Sequence, residues 1–311
     1  MQKKIIVTGG SGMIGSCLKD IVINDNNNWF FLSSKDCDLT NIDSVNELFT
    51  KIQPDYVIHL AANVGGLFKN LRERTKIFTD NIRMNENILE ACNNHNVEKG
   101  VFCLSSCIFP HKPSKYPMNE TMMHESEPHS SNEGYAYSKR MMEMQCRNYN
   151  QQYNRKYICL IPVNLYGPYD NFNLEDSHVI PGLIHRLYNA IENNGDFQMY
   201  GTGKPLRQFV YSYDFSRIIL KTLFEYNDTK SIICCNDEIS IKDLTYLISN
   251  TMGYDTDKIT NDASKSDGCL KKTVDGSYFK KIYPEFKYRS LEDGIKETVS
   301  WFKENYDNCR K

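Results

Sequence analysis

Three glycines at three-residue spacing, Gly9, Gly12 and Gly15, separate a short apolar run, residues 3–7, from a stretch with helical spacing of apolar side chains, residues 13–23. Glycine permits the tight turn, lets the main chain approach a pyrophosphate, and leaves room for the helix to pack on the strand. A helix entered this way offers free N–H groups and the positive end of its dipole to the turn. In this strand–turn–helix context Gly9, Gly10, Ser11, Gly12, Met13, Ile14 and Gly15 read as a dinucleotide-phosphate cradle rather than a purely structural bend.

The alternation continues along the chain. Apolar runs at 29–32, 56–60, 100–104 and 157–163 read as strands, and 44–51, 81–93 and 133–151 read as helices. Continuous apolar strands separated by amphipathic helices predict a Rossmann-type, doubly wound parallel sheet in an α/β fold. Beyond Val163 the pattern loosens: helices are expected at 181–193, 214–226, 241–252 and 291–305, and short strands at 197–200, 209–211 and 232–235. The expected division is a nucleotide-binding unit of residues 1–165, to which 202–228 returns, and a smaller mixed α/β substrate unit of 166–201 and 229–311. A chain of 311 residues accommodates two such units. Residues 263–272 are polar and read as a loop.

Composition narrows the function classes. Lys and Arg total 37 against 39 Asp and Glu, so no basic excess points to nucleic acid. No apolar run approaches the ~20 residues of a membrane helix. The chain enters its first strand at once, so no signal peptide is expected and a cytoplasmic protein is. Eleven cysteines, an odd count without Cys-x-x-Cys, argue against a disulfide framework or a zinc site, and no metal site is expected. Most should act as small buried hydrophobes.

The second strand runs into Ser33-Ser34-Lys35-Asp36. Two hydroxyls and an ammonium suit the 2′-phosphate of NADP(H), while Asp36 is the residue type that serves the ribose diol of NAD. Tyr135 and Lys139 form Tyr-x-x-x-Lys at the start of a predicted helix, on one face. Other Tyr-x-x-x-Lys matches, such as Tyr200/Lys204, straddle turns or lie outside the nucleotide-binding half. Hydride delivery to a ketone makes an oxyanion that needs a proton. A tyrosine supplies it if an ammonium lowers its pKa from about 10, and a serine such as Ser105 holds the carbonyl oxygen. Asn164 is placed to line the nicotinamide pocket. The alternative at this point is that Tyr135 is a partly buried packing residue and Lys139 a solvated helix charge.

Together, Thr8-Gly9-x-x-Gly12-x-x-Gly15, Ser105 and Tyr135-x-x-x-Lys139 resemble the extended short-chain dehydrogenase/reductase family. Further motifs narrow the resemblance to one nucleotide-sugar branch: Leu60-Ala61-Ala62-Asn63-Val64-Gly65-Gly66, Ser105-Ser106-Cys107-Ile108-Phe109-Pro110, Asn164-Leu165-Tyr166-Gly167-Pro168, Asp170-Asn171-Phe172, Ser177-His178-Val179-Ile180-Pro181 and Lys265-Ser266-Asp267-Gly268. The resemblance spans essentially the whole chain. It implies an enzyme that inverts the two carbons flanking the ketone of GDP-4-keto-6-deoxy-D-mannose and then reduces that ketone with NADPH. It implies reductase roles for Ser105, Tyr135 and Lys139, and epimerase roles for Cys107 and His178. Cofactor contacts are implied at Asp38, Leu60, Ala61, Ala62, Leu104, Pro162, Asn164, Leu165 and His178, besides Tyr135 and Lys139. Substrate contacts are implied at Ser106, Asn164, Arg186, Tyr200, Arg207, Asp267 and Lys272, with Tyr200 standing where many members carry Trp. A homodimer joined through 83–93 and 133–151 is also implied.

The chemistry of the extra pair agrees. Protons beside a ketone are acidic because the carbanion is an enolate, and inversion needs a base on one face and an acid on the other. A thiolate of lowered pKa and a histidine meet those needs. Two other readings remain open at this point. One is another epimerase or reductase of the superfamily, which would not need Cys107 and His178. The other is a non-enzymatic NADP-binding regulator, which would have no use for Ser105, Tyr135 and Lys139.

Overall fold

The structure, a computed structural model, describes residues 2–262, 264 and 267–311, and the side chains of all of these except 67 and 68. Lys265 and Ser266 of the last quoted motif lie outside the described residues. In chain order the elements are β1 (Lys4–Thr8), α1 (Met13–Ile21), β2 (Asn28–Leu32), α2 (Ile42–Ile52), β3 (Tyr56–His59), α3 (Leu67–Arg72), α4 (Arg74–Asn94), β4 (Lys99–Cys103), α5 (Glu133–Tyr153), β5 (Tyr157–Pro162) and β6 (Asn164–Tyr166). They continue with α6 (Val179–Glu192), β7 (Phe197–Tyr200), β8 (Leu206–Tyr211), α7 (Ser212–Glu225), β9 (Ile232–Cys234), β10 (Glu238–Ser240), α8 (Ile241–Met252), β11 (Ile259–Asp262), α9 (Ser277–Ile282) and α10 (Leu291–Glu304).

The main sheet has the order β2-β1-β3-β4-β5-β9, and every neighbouring pair is parallel. Ile5, Ile6 and Val7 of β1 and all six residues of β5 are buried. Each such aliphatic side chain contributes about 1.5–3 kcal/mol on leaving water. Helices α1 and α7 pack together, as do α2, α4 and α5, and supply the two covering layers. The doubly wound expectation holds. Strand order reverses between β1 and β3, which opens a crevice beyond their carboxyl ends. Because all the strands run one way, the segments after β1, β3, β4 and β5 emerge at the same edge.

Two departures from the periodicity have physical causes. Helix α4 starts at Arg74 rather than near residue 81, because its first turns are polar and its buried face includes Asn81 and Asn85. The run 157–163 is one strand, β5, ending at Pro162; what the periodicity did not show is that Asn164 opens a further strand, β6, which leaves to pair with β8 in a second sheet ordered β10-β8-β6. A third sheet joins β7 to β11. The apolar residues form two cores, one around the main sheet and one around Ile180, Ile184, Leu244, Ile248 and Phe302. Strand β9 and Phe279 of α9, which the sequence reading groups with the second unit, pack in the first core. All eleven cysteines are free thiols, eight of them buried.

Candidate active site

The turn after β1 closes on itself: Gly12 N donates to Gly9 O at 2.9 Å, and Gly10 N donates to Leu32 O at 2.7 Å. Gly9 has φ +68°, in the left-handed region that favours glycine. A Cβ at Gly15 would lie 2.5 Å from Gly9 O and 2.6 Å from Gly10 Cα, both main-chain atoms that cannot swing aside. No side chain caps the N-terminus of α1, so its leading N–H groups face a cradle of bare backbone, as a diphosphate requires. Gly15→Ala is expected to lower Tm by about 3–10 °C, the overpacking penalty for a chain of this size. It should also weaken dinucleotide binding; wild-type values in differential scanning fluorimetry and in a binding titration would contradict the turn's role.

At the end of β2, Asp36 accepts from Ser33 N at 2.8 Å and from Ser33 Oγ at 2.7 Å. These bonds hold its carboxyl below the ordinary carboxylate value. The residue type that favours NAD is thus engaged in its own turn, while Ser34 and Lys35 stand exposed. Asp38 accepts from Thr40 N and Oγ1 in the same manner.

The end of β3 is set by a buried chain that the sequence reading missed. Leu60 N and Ala61 N both donate to Thr8 Oγ1 at 3.2 Å, and Thr8 Oγ1 lies 2.8 Å from His59 Nδ1. His59 Nε2 meets Asn85 Oδ1 at 3.1 Å, and Asn85 Nδ2 donates to Ser138 O, beside Lys139, at 3.3 Å. Burial first, and then the Lys139 charge, pushes the His59 pKa down to about 3. The ring is neutral, and the partners assign it as Thr8 O–H to Nδ1 and Nε2–H to Asn85. Two asparagines four apart within a helix, Asn81 and Asn85, were the available signal: Asn81 holds Asn63 N and O in the same way.

The segment after β4 carries the chemistry. Ser105 Oγ accepts from Cys107 N at 3.3 Å and caps a single 3₁₀ turn, Ser106–Ile108. Lys139 donates to Cys103 O at 2.7 Å and lies 5.7 Å from the centroid of the Tyr135 ring. Burial raises the Cys107 thiol, while Lys272, the Ser105 hydrogen bond and Lys139 oppose the rise. The expected lowering of Tyr135 by its lysine is not what dominates. Burial, followed by Cys107 and Cys103, pushes the phenol well above its ordinary value, and burial also lowers Lys139. The cause is desolvation on both sides, with the ammonium hydrogen-bonded to a main-chain carbonyl. Ser105, Cys107, Tyr135, Lys139 and Lys272 are therefore brought together. A cavity of about 590 Å³ between Ile21, Tyr213, Arg217, Arg289 and Trp301 contains none of them.

His178 is the N-cap of α6. Its segment is tied to the region after β3, since Gly66 N donates to Asp176 O at 3.2 Å. His178 is exposed, and desolvation by the surrounding protein lowers its pKa. Asn164 Nδ2 donates to Gln208 O at 2.9 Å. Pro162 and Leu104 are buried and Leu165 half-buried at the same strand edge.

The Arg186 guanidinium stacks 4.1 Å from the Tyr200 ring centroid and donates to Gln198 O at 3.1 Å. Arg207 donates to Leu206 O at 2.8 Å, and burial lowers both arginines. Ser106 is buried. Asp267 reaches across to a distant turn: it accepts from Thr202 N at 2.6 Å and Thr202 Oγ1 at 2.7 Å, latching the turn that follows Tyr200. Gln208, also missed from sequence, bonds Val274 N at 2.8 Å and Val274 O at 3.1 Å. Met118 N donates to Thr273 O at 2.9 Å from the opposite side, so the extended segment just after Lys272 is held between two others.

A doubly wound sheet with a glycine cradle and a Ser, Tyr, Lys set defines a nucleotide-dependent oxidoreductase or epimerase, and the chain belongs to the NAD dependent epimerase/dehydratase family, which it matches over residues 5–234. More particularly, it is 46% identical to GDP-L-fucose synthase of Dictyostelium discoideum, covering 100% of this chain and 98% of the other. It is 40% identical to a probable GDP-L-fucose synthase of Drosophila melanogaster, covering both chains fully at 100%. The solved structure of a GDP-L-fucose synthetase from Naegleria fowleri bound to NADP is similar at a TM-score of 0.94 and 44% identity, covering 100% of this chain and 96% of that one. Among the described residues no helix is long and apolar enough to cross a membrane.

Proposed function

We propose that this protein is a GDP-L-fucose synthase, converting GDP-4-keto-6-deoxy-D-mannose to GDP-L-fucose by 3,5-epimerisation followed by 4-keto reduction with NADPH. The observation that carries the reading is the convergence of Cys107 with Ser105, Tyr135 and Lys139 at one strand edge beside the glycine cradle. A simple reductase has no need of the thiol.

Epimerisation comes first, because reduction removes the ketone that acidifies its neighbours. The Cys107 thiolate takes the proton from carbon, with Lys272 and Lys139 supplying the positive field that opposes burial. The Ser105 hydroxyl holds the enolate oxygen. His178 returns a proton to the opposite face. NADPH, when bound on the glycine cradle with Ser34 and Lys35 at its 2′-phosphate, supplies the hydride. Tyr135 then protonates the alkoxide, and Lys139 stabilises the phenolate left behind. Arg186, Arg207 and Lys272 carry the charge to hold the diphosphate, and the Tyr200 ring offers a face to the base. We assign the protein to the cytoplasm, as a homodimer joined through α4 and α5, helices that pack closely on each other.

The deciding experiment incubates the protein with GDP-4-keto-6-deoxy-D-mannose and NADPH and identifies the sugar. GDP-L-fucose is expected; unchanged substrate would overturn the reading. Lys35→Ala should raise the NADPH Michaelis constant about ten- to a hundredfold, the worth of one charge-assisted contact, and leave NADH nearly unchanged. Equal use of both cofactors by the wild type would contradict the 2′-phosphate site.

A further inference from the structure

Two neighbouring cations on α5 grip the Ser105–Cys107 segment from its two ends. Lys139 donates to Cys103 O, just before Ser105, at 2.7 Å. Arg140 Nε donates to Ile108 O, just after Cys107, at 2.6 Å, and Arg140 Nη2 donates to Ser126 O at 2.8 Å. Arg140 is 5% exposed, and its guanidinium lies 5.5 Å from the centroid of the Tyr137 ring. A guanidinium buried this far is tolerated only if its donors find acceptors. Here they find main-chain carbonyls of the connection between β4 and α5, which satisfy the donors without cancelling the charge. The remaining positive charge lies close enough to Cys107 for the two groups to interact.

We propose that Arg140 is a positioning residue for the epimerase step: by bonding Ile108 O it fixes Cys107 against α5 and keeps the sulfur in register with Tyr135 and Lys139. This rests on the epimerase-reductase reading. The geometry explains how one helix serves both half-reactions: Tyr135 and Lys139 face the ketone oxygen, and the next residue along holds the base for the neighbouring carbons. Lys139 alone leaves the far end of the 3₁₀ turn untethered to α5. The groups facing Cys107 are Lys272 from the segment held at Val274 by Gln208, Lys139 and Tyr135 from α5, and Ser105 within its own turn. Arg140 adds a second cation from α5.

The test compares Arg140→Met and Arg140→Lys with the wild type, all full-length. Solvent deuterium uptake into GDP-4-keto-6-deoxy-D-mannose is followed against pH without NADPH, and products are identified with it. In Arg140→Met, uptake should fall about ten- to a hundredfold, the loss expected for a charged hydrogen bond. Its pH profile should move to higher pH, and GDP-6-deoxy-hexoses of the D series should take a larger share of the product. NADPH affinity should be unchanged. Arg140→Lys, which keeps the charge and one donor, should recover part of the uptake at the wild-type pH profile. Equal falls in uptake, NADPH affinity and hydride transfer would mark a merely structural arginine and overturn the proposal, as would unchanged uptake in Arg140→Met. Should Arg140→Met fail to fold, Arg140→Lys decides: an unshifted profile with partial uptake supports the proposal, and full wild-type uptake overturns it. A wild type that takes up no deuterium would overturn the epimerase reading itself, and the proposal with it.

Discussion

Cys107→Ser is expected to abolish solvent deuterium uptake beside the ketone while leaving the cofactor cradle and the Tyr135–Lys139 pair intact. The substitution keeps the Ser105-capped turn, because the bond that Ser105 accepts comes from the main-chain N of residue 107. It replaces a thiol of ordinary pKa about 8.5 with a far weaker acid, so almost no conjugate base is available. The mutant should still reduce the unepimerised ketone slowly, giving GDP-6-deoxy-hexoses of the D series instead of GDP-L-fucose. In the wild type, burial holds the thiol above its ordinary value. The thiolate is then a minor species at neutral pH, and uptake should climb about tenfold per pH unit until the thiol titrates. His178→Asn should separate the two faces: deuterium still enters, but inversion stays incomplete because the second proton donor is gone. Mass spectrometry with NADPH absent, then product identification with it present, reads all of this. Wild-type exchange in Cys107→Ser would make Cys107 a packing residue and place the base elsewhere.

Tyr135→Phe should have the converse effect. It removes the proton donor and keeps the ring that packs beside Lys139. Hydride transfer, followed as NADPH absorbance, should fall by about two to four orders of magnitude, the usual worth of a general acid. Deuterium exchange should persist, since Cys107 and Lys272 are untouched. The raised phenol pKa strengthens the expectation, because a buried protonated tyrosine is available as the donor throughout the neutral range. Loss of both activities in a folded, substrate-binding Tyr135→Phe would contradict the division of labour between the thiol and the phenol.

The amino-acid pattern by itself determined the parts of this protein whose information is local. Apolar runs and helical spacing placed β1 to β5 and most helices within a few residues, because burial on both faces of a parallel sheet leaves a continuous signature. The glycine turn was legible because a Cβ at Gly9 or Gly15 would run into main-chain atoms, and the left-handed φ at Gly9 favours glycine as well. Tyr135 and Lys139 were legible because four residues make one helix face. The tertiary structure decided what depends on distant segments. That the segment bearing Lys272 comes near Cys107 follows from Gln208 and Met118 clamping Thr273 and Val274 on either side. That Asp267 latches Thr202, and that β5 hands over to β6 at Val163, leaves no mark in local periodicity. Thr8, His59 and Asn85 look ordinary one at a time and become a relay only when β1, β3 and α4 pack. Arg140 is the clearest case: beside Lys139 it reads as one more helix charge. Only the fold of the 104–132 connection over α5 turns it inward, where its buried donors must find carbonyls on either side of the chemistry.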